Sequence, residues 1–421
     1  MNKLYHKIKE SKTIVNGALF SLYSFFNQGI SFILLILLAN YISPGEYGQL
    51  SIFNTIVTFL TYFIALSTEG YLSVSYFKRN TEGFKEDFSS ISYISIVMTL
   101  ILLIIIIFSG DFIANFADLP QRFLFYSIVI SFFNLFFNMY LNYQRIQEKV
   151  KRYGIASCSF ALISFILTLY LVINKDLNWE GRVYSNVICT IMFGAISLFY
   201  FIKERFFVID ISKKELKTIV LWGIPLIPHL ASIWIRQGGD RFIINSTHAI
   251  SDVGLFSFAL NLTSIIIMIG SAFNSTNSVS IYKILSSGTD KKLKLLKLKT
   301  LTRTTLFIYI IAYILIIIGV TIFVPILLPH YKDSIPYFLI LSVQGLGQCG
   351  YFLYCNYLFY YHKNKQIMYI TFFTSLLHLI LSLIFTKYSL YYTCLIYAII
   401  QIIVVIIIKY KAQNILKYSL K

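Results

Sequence analysis

Long apolar runs follow one another along the whole chain, and they constrain the fold more than any other feature. A helix needs about 20 predominantly apolar residues to cross a bilayer. Between charged, proline and glycine breaks, the runs predict twelve spans, at residues 14–41, 48–77, 88–109, 121–144, 153–173, 181–202, 217–246, 252–282, 302–328, 334–361, 366–386 and 389–408. Because these spans use most of the 421 residues, no room remains for a large domain outside the membrane.

Composition supports a membrane location. Apolar and aromatic residues make up 57% of the chain and charged residues only 13%, against about 45–50% and about 25% in soluble proteins. The sequence therefore predicts an all-α integral membrane protein and excludes most soluble enzymes. A net charge of +18 would indicate a nucleic-acid partner in a soluble protein. Here we expect no nucleic acid, because basic residues also collect in the cytoplasmic loops of membrane proteins.

The basic residues fall on one side of the predicted membrane. Of the 36 Lys and Arg residues, 29 lie at the two ends and in alternate connections, at residues 1–12, 78–87, 145–152, 203–217, 283–303, 362–365 and 409–421. Under the positive-inside rule these segments are cytoplasmic. An even number of spans with both termini in the cytoplasm satisfies the rule, so the charges favour twelve spans over eleven.

The two halves of the chain resemble each other. The segment Glu46–Ser51 follows the first predicted span, and the segment Asp252–Ser257 follows the seventh, 206 residues later. An offset of six spans gives the two copies the same orientation in the membrane, which indicates a parallel repeat. We therefore expect two six-helix bundles, at residues 1–210 and 211–421.

Three short motifs carry a likeness to a known family, namely Ala39–Gly48, Gly223–Pro228 and Asp240–Ile244. With the length and the span pattern, they make the chain resemble the polysaccharide repeat-unit flippases (Wzx-type, O-antigen and capsule translocases) of the multidrug/oligosaccharidyl-lipid/polysaccharide exporter superfamily. The resemblance implies two bundles around a central cavity that opens alternately to the two sides of the bacterial cytoplasmic (inner) membrane. It also implies an undecaprenyl-diphosphate-linked oligosaccharide as substrate, membrane lipids as surroundings, and a polysaccharide polymerase and a chain-length regulator as partners.

One feature of that family is missing. Members often carry an arginine near the inner end of the second span, where this chain has Leu72–Phe77 before Lys78 and Arg79. This departure leaves a substrate contact from the second span without support.

The strongest candidate for a binding site is a charged segment in the seventh span. A carrier for a diphosphate with sugars must replace the water that those groups lose in the membrane, and charges retained in a span usually face a cavity. Arg236 and Asp240 are four residues apart, so we expect them to share a helix face and to pair. With Gln237 and Arg241 they form a predicted diphosphate site. The alternative is an ordinary ion pair near the outer interface.

Amide side chains at helical spacing are further candidates for contacts with sugars. They lie in the fourth span at Asn134, Asn138 and Asn142, in the first span at Asn27 and Gln28, and in the tenth span at Gln344 and Gln348. Amides are expensive in lipid, so we expect these faces to point inward. Hydrogen bonds between helices explain them equally well.

Glu69 in the second span and Asp240 in the seventh are candidates for ion coupling. A carboxylate inside a transporter can bind a proton or Na⁺. A hydrogen-bonded structural acid is the alternative for Glu69. We expect His378, in the eleventh span, to be a packing residue.

No catalytic, cofactor or metal site is expected. The segment Gly345–Gly350 matches the dinucleotide fingerprint G-x-G-x-x-G, but that motif requires a strand before it and a helix after it, and here it lies inside an apolar span. The sequence thus favours a flippase over an enzyme. Two alternatives stay open: a cation-coupled multidrug exporter of the same superfamily, and a membrane glycosyltransferase that polymerises or ligates repeat units.

Overall fold

The structure is a computed structural model that describes residues 2–66, 68–209, 212–224, 227–288 and 290–419. Its α-helices in these residues are α1 (Asn2–Tyr41), α2 (Pro44–Ala65), α3 (Glu69–Lys78), α4 (Thr81–Ala117), α5 (Arg122–Ile146), α6 (Val150–Leu169), α7 (Asn178–Lys203), α8 (Lys213–Gly223), α9 (Ile227–Trp234), α10 (Asp240–Thr247), α11 (Ile250–Ser286), α12 (Lys291–Leu327), α13 (Ile335–Tyr360), α14 (Asn364–Phe385) and α15 (Leu390–Ser419). A π-helical turn follows α6 at Tyr170–Asn174, another follows α9 at Ile235–Gly239, and a 3-10 turn precedes α13 at Pro329–Ser334. No strand occurs among the described residues.

The predicted spans are present. Within the described residues, 11 helical segments are long and apolar enough to cross a membrane. They match every predicted span except the seventh, which is divided into α8, α9, the π turn and α10. Helices suit this environment because they satisfy their own backbone hydrogen bonds where no water is present. The all-α membrane fold is confirmed, with its seventh segment broken.

Several helices extend beyond the apolar runs that predicted them. Helix α4 spans Thr81–Ala117 instead of 88–109, and α12 begins at Lys291 instead of 302. The turns added at the N-terminal end of each helix are rich in polar or basic residues. A helix continues past the membrane wherever nothing stops it, so hydropathy predicts the buried middle of a helix better than its ends.

The chain forms two compact units. The first unit contains residues 1–42 and 52–230, and the second contains residues 43–51 and 231–421. Helix α2 therefore begins in the second unit and continues in the first. The division at residue 210 into two six-helix bundles stays a prediction.

The first unit contains a buried aromatic cluster. Phe88 packs against Phe201 at a ring-centroid distance of 4.3 Å and against Phe206 at 5.2 Å. Phe84 and Phe136 belong to the same buried group. Because lipid is as apolar as these rings, close van der Waals packing is what holds helices α4, α5 and α7 together here.

An ionic cluster in the same unit fixes the start of the broken seventh segment. Arg79 donates to Glu86 at 2.9 Å, to Asp87 at 2.7 Å and to Glu215 on α8 at 2.6 Å. Ser75 Oγ also donates to Asp87 at 2.5 Å. Arg79 is thus paired with three carboxylates.

The predicted repeat recurs in the helix ends. Helix α1 ends at Tyr41 and α10 at Thr247, whereas α2 begins at Pro44 and α11 at Ile250, so both pairs are 206 residues apart. The two N-termini are capped alike. Glu46 Oε2 accepts from the Ser43 backbone N–H at 2.7 Å, and Asp252 Oδ2 accepts from the Ala249 backbone N–H at 3.3 Å.

Equivalent residues of the repeat meet in the second unit. A Cβ on Gly48 would overlap the Ile250 carbonyl, and a Cβ on Gly254 would overlap the equivalent Pro44 carbonyl. Each of these Cβ atoms would also lie 3.1 Å from the backbone N of the other glycine. Such reciprocal contacts are those of a two-fold axis. Helices α2 and α11 therefore cross at a local two-fold axis, and glycine is needed on both sides of it.

Candidate functional site

The site is built on the broken seventh segment. Its cationic part, Arg236, lies in the π turn Ile235–Gly239, and Asp240 and Arg241 open α10. Proline at 228 lacks a backbone N–H and weakens helical continuity, and the pair Gly238–Gly239 relaxes the backbone further. Such π turns occur often at functional sites.

Arg236 has a donor that the protein leaves unused. Its Nη1 atom is buried and has no hydrogen-bond partner among the described residues. The phenols of Tyr351 and Tyr397 lie close enough to interact with it electrostatically. Leaving a buried donor unpaired costs about 1–3 kcal/mol, so this guanidinium is placed where an anionic acceptor would stabilise it.

Asp240 pairs with a residue from a distant helix. Its Oδ2 atom lies 2.7 Å from His378 Nε2 on α14, and each residue is only 1% exposed. The ring of Tyr397 stands edge-on to the imidazole at a centroid distance of 4.6 Å. The expected pairing of Asp240 with Arg236 is therefore wrong. The π turn between them shifts the register by about one residue relative to an α-helix, so the two side chains do not share a face.

Arg241 joins the two copies of the repeat. Its Nε donates to Ser51 Oγ at 2.9 Å and to Ser257 Oγ at 3.0 Å. Ser51 and Ser257 occupy equivalent positions of the repeat, three residues beyond the crossing glycines. Next to this contact, Asn261 Nδ2 donates to Tyr47 Oη at 2.6 Å. Arg241 thus stabilises the crossing of α2 and α11, whereas Arg236 has no such partners among the described residues.

The other predicted amides occupy different surroundings. Asn142 Nδ2 donates to Ser73 Oγ at 3.0 Å, Asn134 is half-buried, and Asn138 is exposed on its unit. In the second unit, Gln348 Oε1 accepts from Gln401 Nε2 at 3.0 Å, and Gln344 Oε1 is buried without a partner among the described residues. Asn142 and Gln348 therefore join helices, which is the alternative that the spacing left open.

The remaining predicted residues lie in the first unit or outside the described part. Asn27 lines a cavity and Gln28 is exposed on its unit. The side chains of Glu69 and Gln237 lie outside the described residues.

Sequence reasoning missed the role of His378. A single histidine in the middle of an apolar span is itself a signal, because ionisable groups there usually have a partner. The sequence could not show that the partner is Asp240, which is 138 residues away.

The comparisons with known proteins agree with this architecture. Residues 14–281, more than half of the chain, match the family described as polysaccharide biosynthesis protein. The chain belongs to that family. It is 25% identical over 350 residues to a protein of the Lsg locus of Haemophilus influenzae, a match that covers 80% of this chain and 82% of the relative. An uncharacterized membrane protein of the same organism is 23% identical over 363 residues, covering 83% and 84%.

Solved structures share the fold. The lipid II flippase MurJ in an inward closed conformation matches with a TM-score of 0.74 and 18% identity, over 94% of this chain and 87% of that chain. An inward-facing multidrug resistance MATE family transporter of the MOP superfamily matches with a TM-score of 0.71 and 13% identity, over 93% and 95%. The resemblance that the sequence motifs indicated is confirmed. The chain therefore shares its fold with a lipid II flippase and with a MATE family transporter.

Proposed function

We propose that this member of the polysaccharide biosynthesis protein family flips an undecaprenyl-diphosphate-linked oligosaccharide repeat unit from the inner to the outer leaflet by alternating access. The observation that carries the proposal is the buried Arg236 Nη1 atom, which has no described partner. A diphosphate supplies acceptor oxygens for this donor and a charge opposite to the guanidinium, and charge-assisted hydrogen bonds of this kind are among the strongest in proteins.

The proposal includes coupling to protons at Asp240 and His378. Arg241 faces this pair from the same segment, and Tyr397 and Cys394 face it from α15. Arg236 lies close enough to Tyr397 to interact with it electrostatically. Two guanidiniums and one carboxylate give the group a charge of +1 with a neutral imidazole and +2 with an imidazolium. A diphosphate binds the second form better, so by linkage the substrate also favours protonation. Glu69 is a second candidate for the same role.

The location follows from the charge pattern. We propose that the protein lies in the bacterial cytoplasmic membrane with both termini in the cytoplasm, so that the substrate enters from the side on which lipid-linked sugars are assembled. A polysaccharide polymerase and a chain-length regulator would then act on the product at the outer leaflet.

The test is functional replacement in bacteria that lack their own repeat-unit translocase, with surface polysaccharide and inner-leaflet lipid-linked repeat units as readouts. Wild type is expected to restore the polymer. Arg236→Met is expected to let repeat units accumulate, and Arg303→Met, which removes an exposed arginine of the same unit, is expected to behave like wild type. All proteins are compared at matched membrane levels.

Other outcomes separate the alternatives. If Arg236→Met restores polymer as wild type does, the flippase proposal stands and the role of Arg236 fails. If wild type restores no polymer in hosts with several different repeat units, the flippase proposal fails. Export of cationic drugs would then support the multidrug exporter, and a change in polymer chain length would support a glycosyltransferase.

A further inference from the structure

A cavity of about 210 Å³ lies inside the first unit, between helices α1, α5, α6 and α7. Its polar lining comes from Asn27 and Ser31 on α1, Ser157 and Ser164 on α6, and Arg182 on α7. Apolar and aromatic side chains form the rest of the wall. Arg182 is thus a cation that the flippase proposal does not use, in a cavity of its own.

The guanidinium of Arg182 is held in place by hydroxyl groups. Its Nη1 donates to Ser164 Oγ at 2.8 Å and to Thr168 Oγ1 at 3.0 Å. These two hydroxyls are one helical turn apart on α6, and Thr168 Oγ1 also bonds Ser185 Oγ at 3.0 Å. The side chain is therefore oriented by two neutral hydroxyls of α6.

No described carboxylate balances this charge. Arg182 forms no ion pair within the described residues. The acid nearest to it in the sequence, Glu180, accepts from Arg122 Nη2 at 2.7 Å and from Tyr184 Oη at 2.8 Å. A charge taken out of water costs several kcal/mol unless a counter-charge is present, so the cavity is suited to an anion.

A second unsatisfied group limits the chemistry of the ligand further. Asn27 Oδ1, which also belongs to a lining residue, is buried and has no hydrogen-bond partner among the described residues. It requires a donor, which a bare anion lacks and a hydroxyl or amide supplies. The ligand therefore combines an anionic acceptor with a neighbouring donor.

Size limits the ligand as well. At about 30 Å³ for each water molecule, the volume of about 210 Å³ equals roughly seven waters. A phosphate with a small hydroxylated group fits this volume.

We propose that this cavity binds a phosphate group that carries a neighbouring hydroxyl or amide, with Arg182 as its charge partner and Asn27 as the acceptor for its donor. The phosphate belongs to a phospholipid headgroup, a polyprenyl-linked lipid or a free small molecule. The inference rests on the cavity and does not depend on flipping.

The test measures binding to the purified full-length protein in phosphatidylcholine nanodiscs. The probes are inorganic phosphate, phosphatidylglycerol and undecaprenyl phosphate, and the readouts are thermal unfolding and native mass spectrometry. Wild type is expected to bind at least one probe. Arg182→Met is expected to weaken that binding about tenfold or more, Arg182→Lys to retain part of it, and Lys175→Met, which removes an exposed cation before α7, to leave it unchanged.

Asn27→Leu provides an independent variant in case Arg182→Met does not fold. It keeps nearly the same volume, removes the unsatisfied amide and is expected to raise the unfolding temperature without probe while weakening the binding of phosphatidylglycerol. A purely structural Arg182 would lower the unfolding temperature in Arg182→Met and leave the probe-induced shift unchanged.

The three probes distinguish the sources of the phosphate. Binding of inorganic phosphate alone indicates a small soluble anion, binding of phosphatidylglycerol indicates a bilayer lipid, and selective binding of undecaprenyl phosphate indicates the carrier lipid. The proposal is overturned if none of the probes binds wild type, or if Arg182→Met and Asn27→Leu both bind as wild type does. Because no readout involves translocation, this result and that of the replacement test are independent.

Discussion

Arg236 and Arg241 lie five positions apart in one broken segment, and their surroundings give them different roles. Arg241 donates to two serines that stabilise a helix crossing. Arg236 keeps a buried donor without a described partner. A charge in an apolar segment therefore does not by itself identify a binding residue. Its partners decide whether it stabilises the fold or is available to bind a ligand.

Methionine at each position is expected to separate the two roles. Arg236→Met removes a desolvated donor, so the unfolding temperature of the purified protein should stay the same or rise while transport falls. Arg241→Met removes two charge-assisted hydrogen bonds across the helix crossing and should lower stability by about 1–3 kcal/mol. Thermal unfolding in detergent checks both variants. A stability loss in Arg236→Met equal to that in Arg241→Met would mean that both arginines are structural.

The pair of Asp240 and His378 predicts a pH dependence. We expect wild type to bind a soluble diphosphate more tightly at lower pH, because a proton on the pair adds a positive charge to the site. Asp240→Asn and His378→Gln each remove one member of the pair, so both should flatten the dependence. Calorimetric titration at several pH values measures it, and an unchanged profile in His378→Gln would exclude this residue.

At this scale the sequence predicted candidate residues but not which of them are in contact. Arg236, Asp240 and Arg241 stood out as charges in an apolar run. Their partners His378 and Ser51 are 138 and 190 residues away, and the π turn altered the helical register on which the expected pairing of Arg236 with Asp240 relied. Spacing alone could not show either fact.

Helices α2 and α11 form the element that relates the two copies of the repeat. Their crossing is close enough that neither glycine at its centre leaves room for a Cβ. Small residues allow such close approach between helices in membranes, where van der Waals packing drives association. The six-residue match in the sequence thus corresponds to a contact between the two copies themselves.

Gly254→Ala is expected to destabilise the protein, because the new Cβ overlaps the Pro44 carbonyl and backbone cannot move aside as a side chain can. Overpacking of this kind costs about 1–3 kcal/mol or more. Gly319→Ala is the matched control, since nothing lies within 4 Å of its Cβ, and alanine there should stabilise α12 by about 1 kcal/mol. Thermal unfolding of both variants provides the comparison, and equal unfolding temperatures would contradict the close crossing.

The start of α8 should respond to acid. The hydrogen bond from Arg79 holds the pKa of Glu215 below its usual range. A carboxyl whose pKa is lower in the folded state contributes stability above its unfolded pKa of about 4.3, and this stability is lost as the pH falls through the folded value. Unfolding temperatures between pH 7 and pH 3 should therefore fall less steeply for Glu215→Gln than for wild type. Glu82→Gln, which removes an exposed acid at the start of α4, should retain the wild-type slope.

The fold of the whole molecule is predicted by its pattern of apolar runs more closely than any single site is. Each of the 11 membrane-spanning segments was predicted from hydropathy, because the bilayer admits few alternatives to a helix. The seventh segment differs because prolines and glycines interrupt it, and hydropathy averages over such breaks. Its division into short helices places the charges, so the part of the fold that was hardest to predict is also the part that carries the candidate site.

Orientation is a property of the whole chain and is expected to follow its charges. A fluorescent protein fused after Lys421 should fluoresce, since it folds in the cytoplasm. Alkaline phosphatase should be inactive at that position and active when inserted near residue 176, between the fifth and sixth spans. The opposite pattern of the two reporters would show that the termini are outside.

The contact of Arg241 with Ser51 and Ser257 has a consequence for how the two copies of the repeat diverged. The residue 206 positions before Arg241 is Leu35. One guanidinium beside the two-fold axis donates to both equivalent serines and occupies the space next to them. A second arginine, from the other copy, would lie close to the first and repel it, because both are positively charged. A gene that doubled this segment would therefore keep one arginine and replace the other with an apolar residue. The geometry of the shared contact therefore requires the two halves to differ chemically at this position. The second half is the one that keeps the ionisable groups.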